Sequence, residues 1–265
     1  TGDGATVTVT SSSNHNLSTG NKVIMSAWTG GTGTWNGTYS ITVTGATTFT
    51  YASDGNGTAT GGTVSSTGYL ENVANVAAGT SFSIARKADG TVWAWGLGTS
   101  GQLGTNAALT SYYPIPTSGL TGVTSISAGN SHAAAIKSGD GSVWMWGLNT
   151  SFQLGDGTVT QRNLPTQLAG IADAAQVSPA FDFTVMTTTG GTIEAWGVAS
   201  YSPLGKSDIN KSSPTSMYGF ESEPVLDVSG SSVHSVVVRA SDGSVWAAGL
   251  NTNNQLGDIM PSTVT

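Results

Sequence analysis

The sequence predicts an all-β protein on three observations. A Trp-rich phrase recurs as Val92-Trp-Ala-Trp-Gly96, Val143-Trp-Met-Trp-Gly147, Ile193-Glu-Ala-Trp-Gly197 and Val245-Trp-Ala-Ala-Gly249, its first residues 51, 50 and 52 apart. Other landmarks keep the same interval: Asp89-Gly90, Asp140-Gly141, Gly190-Gly191 and Asp242-Gly243 precede the phrase, and Gln102-Leu-Gly104, Gln153-Leu-Gly155, Pro203-Leu-Gly205 and Gln255-Leu-Gly257 follow it. The first 64 residues instead alternate apolar and polar positions between closely spaced turn signals. Self-similarity with a period near 50 marks a solenoid, propeller or array, and short alternating runs mark strands. The expected architecture is a small N-terminal β-barrel or meander over residues 1–64, followed by β-propeller blades over 65–265, divided near 65–116, 117–167, 168–217 and 218–265.

In the first segment, Ala5–Thr10, Lys22–Met25, Thr38–Val43 and Thr47–Tyr51 read as strands, and Gly30-Gly31, Asn36-Gly37, Gly45 and Asp54–Gly57 as turns, about five strands in all. Trp28 and Trp35 flank the Gly-rich loop, where capping a small core is favoured over a sugar-stacking surface. Asp54-Gly-Asn56-Gly-Thr58 has the start of a calcium loop but lacks the later carboxylates such a cage needs, so a plain turn is the better reading. His15 has no second ligand at a useful spacing. The order His15-Asn-Leu17, Val23, Asn36-Gly37-Thr-Tyr39 and Thr48-Phe49-Thr-Tyr51 resembles small β-modules of bacteriophage tail and fibre proteins, which implies a spacer or attachment module.

Each later repeat reads as four strands. An Ala-Gly opener precedes an apolar strand (Phe82–Ala85, Ala133–Ile136, Phe183–Met186, Val236–Val238), an Asp-Gly pair suited to a two-residue hairpin reverses the chain, and the Trp phrase returns. In Val143-Trp-Met-Trp-Gly147, Val143 and Met145 point to one face and Trp144 and Trp146 to the other. Both faces therefore need cover, which sheets stacked around an axis provide. The six Trp of these phrases (Trp93, Trp95, Trp144, Trp146, Trp196, Trp246) are expected to pack between blades, each offering about 4–6 kcal/mol of gross transfer free energy. Gly96, Gly147, Gly197 and Gly249 are expected where a side chain would obstruct a turn or a neighbour's approach.

The landmarks Ser131-His132, Asp140-Gly-Ser-Val-Trp-Met-Trp-Gly147, Gln153-Leu-Gly155-Asp156-Gly157 and Pro165, repeated over about 200 residues, resemble the repeat of the regulator of chromosome condensation (RCC1-type) family. That resemblance implies a propeller, usually of seven blades, that serves as a binding platform rather than an active site. Repeat three departs from the pattern at Pro179, Gly190, Glu194 and Pro203. Glu194 is costly between blades unless hydrogen-bonded or near the rim, so a partly open environment is expected there. Four repeats do not complete seven blades: further repeats are missing, a smaller ring closes, or other chains complete an open arc. An opening residue of Thr1 rather than Met suggests a processed product or an ordered piece of something longer.

Composition narrows function. Only 9% of residues are charged, with 8 basic against 15 acidic and no basic run, so nucleic acid and anionic membranes are poor partners. With no Cys there is no thiolate nucleophile, disulfide or Cys-metal site, and no apolar run approaches a membrane span. No catalytic constellation, metal site or cofactor motif appears. His132 and His234 stand eight residues before Asp-Gly, where repeat three has Asp182, and structural hydrogen bonding is the expected role of both histidines. Binding candidates come from the segments after each Leu-Gly, where Tyr112, Tyr113, Tyr201 and Tyr218 are amphipathic anchors or local packing. The expectation is a non-enzymatic structural or attachment protein of a bacteriophage, a fibre, tail or capsid-decoration component in the virion or outside the cell. Its partners would be other virion proteins, copies of itself, or a host glycan or protein. Alternatives are a secreted bacterial adhesin or lectin-like protein, and a protein-binding propeller of exchange-factor or inhibitor type.

Overall fold

The computed structural model describes residues 6–11, 17, 19–26, 37–52, 63–66, 70–198, 210–217, 220 and 223–257. The chain divides into two compact units, Thr1–Asn72 with Tyr112–Pro116, and Val73–Ser111 with Thr117–Thr265. Every regular element among the described residues is a strand.

The first unit holds β1 (Thr6–Thr10), β2 (Lys22–Ser26), β3 (Gly37–Gly45), β4 (Thr48–Ala52) and β5 (Thr63–Ser66), in one antiparallel sheet of order β1-β4-β3-β2-β5. Alternation sets its core: Val7, Val9, Val23, Met25, Ile41, Phe49 and Tyr51 point inward while the intervening threonines face out. The sequence boundary at residues 64 and 65 falls inside β5, which pairs with β2 through Met25 and Val64. Trp28, Trp35, His15 and the Asp54–Thr58 turn lie outside the described residues.

Beyond the first unit's strands, the repeats form four sheets. The first contains β6 (Val73–Ala78), β7 (Phe82–Lys87), β8 (Val92–Gly96) and β9 (Ser111–Pro116) in sequence order. The second contains β10 (Val123–Ala128), β11 (His132–Lys137), β12 (Val143–Gly147) and β13 (Arg162–Gln167), and the third β14 (Ala174–Pro179), β15 (Phe183–Thr188), β16 (Ile193–Gly197) and β17 (Lys211–Ser216). The fourth shows β18 (Val225–Gly230), β19 (His234–Arg239) and β20 (Val245–Gly249). Their packing follows chain order, with β6 and β7 against β10, β10 and β11 against β14, and β14 and β15 against β18.

The Trp strand pairs in the same register in each sheet, placing Phe82, His132, Phe183 and His234 opposite Gly96, Gly147, Gly197 and Gly249. Gly147 shows why that position takes glycine. Its φ is 106°, and a Cβ there would lie 2.5 Å from the Ser131 carbonyl oxygen that accepts the Leu148 N–H.

The turn before the Trp strand is longer than the two residues expected. Lys87 N–H donates to Thr91 O and Thr188 N–H to Thr192 O, closing three-residue loops that end in the left-handed Gly90 and Gly191. Lys137 N–H donates to Ser142 O and Arg239 N–H to Ser244 O, closing four-residue loops. That one-residue difference corrects the alignment of the histidines. Phe183, not Asp182, shares the register of His132 and His234.

Candidate functional site

The two indoles of a Trp phrase have different jobs, which corrects the expectation that all six fill junctions between blades. Trp146 and Trp196 are fully buried. Trp146 Nε1–H donates to Gln102 O and Trp196 Nε1–H to Gln153 O, each 2.9 Å away in the preceding sheet. The Gln side chain prepares that acceptor. Gln102 Oε1 takes the Ser100 N–H at 2.8 Å and Gln153 Oε1 the Ser151 N–H at 2.7 Å, fixing the loop whose carbonyl meets the indole.

The other indole turns to its own hairpin. Trp93, Trp144 and Trp246 donate to Thr91 Oγ1, Ser142 Oγ and Ser244 Oγ two residues earlier. Above their rings lie Lys87 Nζ at 5.7 Å, Lys137 Nζ at 5.0 Å and the Arg239 guanidinium at 4.5 Å. Trp93 is buried, Trp144 half-buried and Trp246 exposed, so the hairpin ring is enclosed to a different degree in each of these sheets. The third sheet carries Thr188 where the others carry Lys or Arg, and Glu194 where they carry Trp. Glu194 is half-buried, its Oε2 has no hydrogen-bond partner, and burial followed by the nearby Asp173 charge raises its carboxyl pKa.

His132 sits at the centre of a junction. Thr184 Oγ1 donates to Gln153 O at 2.9 Å, so it accepts the Nε2–H of His132 at 3.0 Å, which fixes a neutral tautomer with Nδ1 unprotonated. Complete burial pushes the imidazole pKa down to about 3. Gln153 O thus receives both Thr184 and Trp196, and three side chains from two sheets converge on one loop. The role is structural, and the described residues contain no cluster of three or more His, Asp or Glu able to hold a metal ion.

That loop continues into a built surface segment. Asn149 Nδ2 donates to Asp156 Oδ1, Thr158 O and Thr160 O, while its Oδ1 accepts the Leu154 N–H. Burial raises the Asp156 pKa, but hydrogen bonds from Thr158, the Arg162 guanidinium and Asn149 outweigh it and hold the carboxyl below its ordinary value. Residues 149–162 are therefore braced from within. Of the tyrosine candidates, Tyr112 on β9 is 88% exposed and Tyr113 is less so; Tyr201 and Tyr218 lie outside the described residues. Sequence reading passed over Leu109 and Val159, apolar side chains exposed in the same segments between Trp strand and fourth strand.

With this geometry in place, comparison gives the repeat a name. Residues 89–136 and 140–186 match the Regulator of chromosome condensation (RCC1) repeat, and a second RCC1 repeat description matches 73–102 and 123–153. The chain carries RCC1 repeats. Similar proteins include the E3 ubiquitin-protein ligase HERC2 of Homo sapiens, 30% identical over 192 residues that cover 70% of this chain and 4% of that protein. The ultraviolet-B receptor UVR8 of Arabidopsis thaliana is 26% identical over 190 residues, 70% of this chain and 43% of that protein. Among solved structures, Prp20p from Saccharomyces cerevisiae superposes with a TM-score of 0.63 at 23% identity, covering 74% of this chain and 50% of that one. Human WBSCR16 gives 0.62 at 20% identity, covering 74% and 52%. The chain spans less than half the length of these curated relatives and about half that of the solved chains. These likenesses establish the fold: RCC1 blades of the β-propeller kind.

Proposed function

We propose that this chain is a non-enzymatic binding protein whose RCC1 blades present loop side chains to another protein or to a surface glycan, and that it serves in a bacteriophage virion as a fibre, tail or decoration component. The observation that carries the reading is which groups are locked in and which are offered. His132 and Thr184 share a buried hydrogen bond and both Gln side-chain oxygens accept backbone N–H groups, whereas Tyr112, Leu109 and Val159 reach solvent. Exposed apolar and aromatic side chains on a rigid frame suit recognition. Scarce charge and Thr-faced strands in the N-terminal unit support the virion part of the reading.

A second reading, a propeller of exchange-factor or inhibitor type, is favoured by the likeness to Prp20p, a protein described with binding properties to Gsp1p and histones. Two assays separate the readings: binding of the labelled chain to a panel of bacterial cells, and nucleotide exchange on small GTPases. The first reading expects cell binding that Tyr112→Ala weakens about tenfold without changing the melting temperature. Exchange activity with no cell binding would favour the second, and neither activity would overturn both.

A further inference from the structure

Asp-Gly is a reactive dipeptide as well as a turn signal, because a glycine nitrogen with no neighbouring Cβ can swing onto the carboxyl carbon beside it. Pairs of this kind stand among the described residues at Asp89, Asp140, Asp156 and Asp242, while those at Asp3 and Asp54 lie outside them. The fold treats these pairs differently.

In three of them the glycine nitrogen is committed. Gly90 N–H donates to Lys87 O at 3.0 Å, Gly157 N–H to Ser212 O at 2.9 Å and Gly243 N–H to Arg239 O at 3.1 Å. Gly141 N–H has no hydrogen-bond partner among the described residues. Asp156 carries a second restraint, since its carboxylate is paired with Arg162 and accepts hydrogen bonds from Thr158 and Asn149. Gly90 is buried, and a Cβ on it would come within 3.0 Å of Gly122, which leaves its loop little room to turn.

Asp140 has the opposite surroundings. It is exposed and follows Gly139, whose φ is 93° and whose Cβ would meet nothing within 4 Å. Its Oδ1 accepts the Ser142 N–H at 3.0 Å, an Asx turn that folds the carboxyl back over the peptide bond to Gly141. Asp89 and Asp242 make the same turn with Thr91 and Ser244, so the uncommitted glycine nitrogen is what sets Asp140 apart. Ionisation does not rank these three. Hydrogen bonds from Ser142, Thr91 and Ser244 hold all three carboxyls below their ordinary pKa.

We propose that Asp140-Gly141 is the site at which this chain modifies its own backbone, converting Asp140 to isoaspartate, and that the product loosens the junction with the third sheet. The Gly141 nitrogen attacks Asp140 Cγ. An N–Cγ bond forms as the bond from Cγ to its hydroxyl breaks, and that hydroxyl leaves with the amide proton as water, closing a succinimide ring. Water then adds to the original backbone carbonyl and the nitrogen leaves that carbon, so the chain runs on through Cγ with a free α-carboxylate and no net change in mass. The position makes the product matter. Gly141 O accepts the Ala174 N–H at 3.1 Å, and a Cβ on Gly141 would lie 3.0 Å from Ala174 N and 3.1 Å from Asp173 Cα. Isoaspartate adds a methylene to the main chain of that turn and withdraws the oxygen that caps Ser142. The inference is independent of the proposed partner or host.

Ageing the 265-residue chain for several weeks near neutral pH tests it, with isoaspartate counted by enzymatic methyl transfer and located by electron-transfer fragmentation of tryptic peptides. Isoaspartate is expected to accumulate at Asp140 at least about fivefold faster than at Asp89, Asp156 or Asp242, the factor by which one backbone hydrogen bond slows a step that must first break it. In urea the four rates should become comparable. Asp140→Ser, whose hydroxyl can still accept the Ser142 N–H, should remove the signal and leave the thermal melt unchanged. In the modified fraction, hydrogen exchange at Ala174 should be about fivefold faster. Even accumulation across the four sites in the folded chain, another of them leading, a ranking that persists in urea, or unaltered exchange at Ala174 would each overturn the proposal.

Discussion

The junction between the second and third sheets and that between the third and fourth are built from the same repeat but held differently. In the former, the Gln153 carbonyl gathers Trp196 and Thr184, with His132 behind them. In the latter, Ala248 stands where the indole would be, and the sequence carries Pro203 at the Gln position. The link passes instead to β14 side chains, with Gln176 Oε1 accepting the Val228 N–H at 3.2 Å and Ser178 Oγ the Gly230 N–H at 3.0 Å, over an apolar cluster around Phe183, Met217 and Val237. The indole donor is absent from the fourth repeat and the bracing Gln side chain from the sequence of the third, although the two belong to different repeats. The unit preserved in such an array is thus a pair across a junction, and a lone departure from the consensus is best read by looking for its partner.

Removing the indole that anchors the former junction should produce the largest effect. Trp196→Ala should cost about 4 kcal/mol, since it empties a large buried volume and removes one of the two donors to the Gln153 carbonyl. A urea titration reads this directly, and a loss below about 1 kcal/mol would show that the junction is held by something else. The same substitution at half-buried Trp144 should cost about 1–2 kcal/mol, because that ring caps a hairpin rather than joining two sheets.

Acid sharpens the contrast between sheets with His and sheets with Phe at one register. His132 has its pKa lowered to about 3 in the folded protein, while the unfolded chain takes up the proton near 6.5. Below about pH 6.5 the unfolded state therefore binds more protons, and stability falls with pH until the folded imidazole also protonates near 3. The loss assignable to this group is about 3 kcal/mol at pH 4. Phe82 and Phe183 show that the register accepts an aromatic hydrocarbon, so His132→Phe should fold and remove this component. Stabilities measured at pH 7 and pH 4 for both proteins give the comparison; equal pH sensitivity would mean that water reaches the ring.

Much of this was legible in the sequence because local rules suffice for it. Alternation fixed the inward set Val7, Val9, Val23, Met25 and Phe49, and the recurring phrase with its Gly marked the third strand of each sheet. The registers were harder. Loops of three and four residues both contain an Asp-Gly or Gly-Gly pair, so spacing to that pair placed Asp182 where Phe183 belongs. Burial of the two indoles could not be separated either, since both occupy the same face of one strand and only the neighbouring sheet decides which is enclosed. The pairing of Trp146 with the Gln102 carbonyl spans 44 residues and leaves no trace in either repeat alone.

The smallest expected effect concerns the pair that the third sheet lost. Lys137 lies over Trp144, and in the third sheet both partners have changed, to Thr188 and Glu194. If these are coupled positions, Lys137→Met and Trp144→Ala should show a double-mutant coupling of about 0.5–1 kcal/mol. Restoring the pair with Thr188→Lys and Glu194→Trp should then recover a coupling of similar size. It should also relieve the carboxyl whose Oε2 has no hydrogen-bond partner, so the double variant should gain more at pH 7 than at pH 4, where Glu194 is closer to neutral in the wild type. A coupling near zero in the second sheet would mean that the Lys ammonium is held over the ring by solvent exposure of its stem alone, and that the joint loss in the third sheet has another cause.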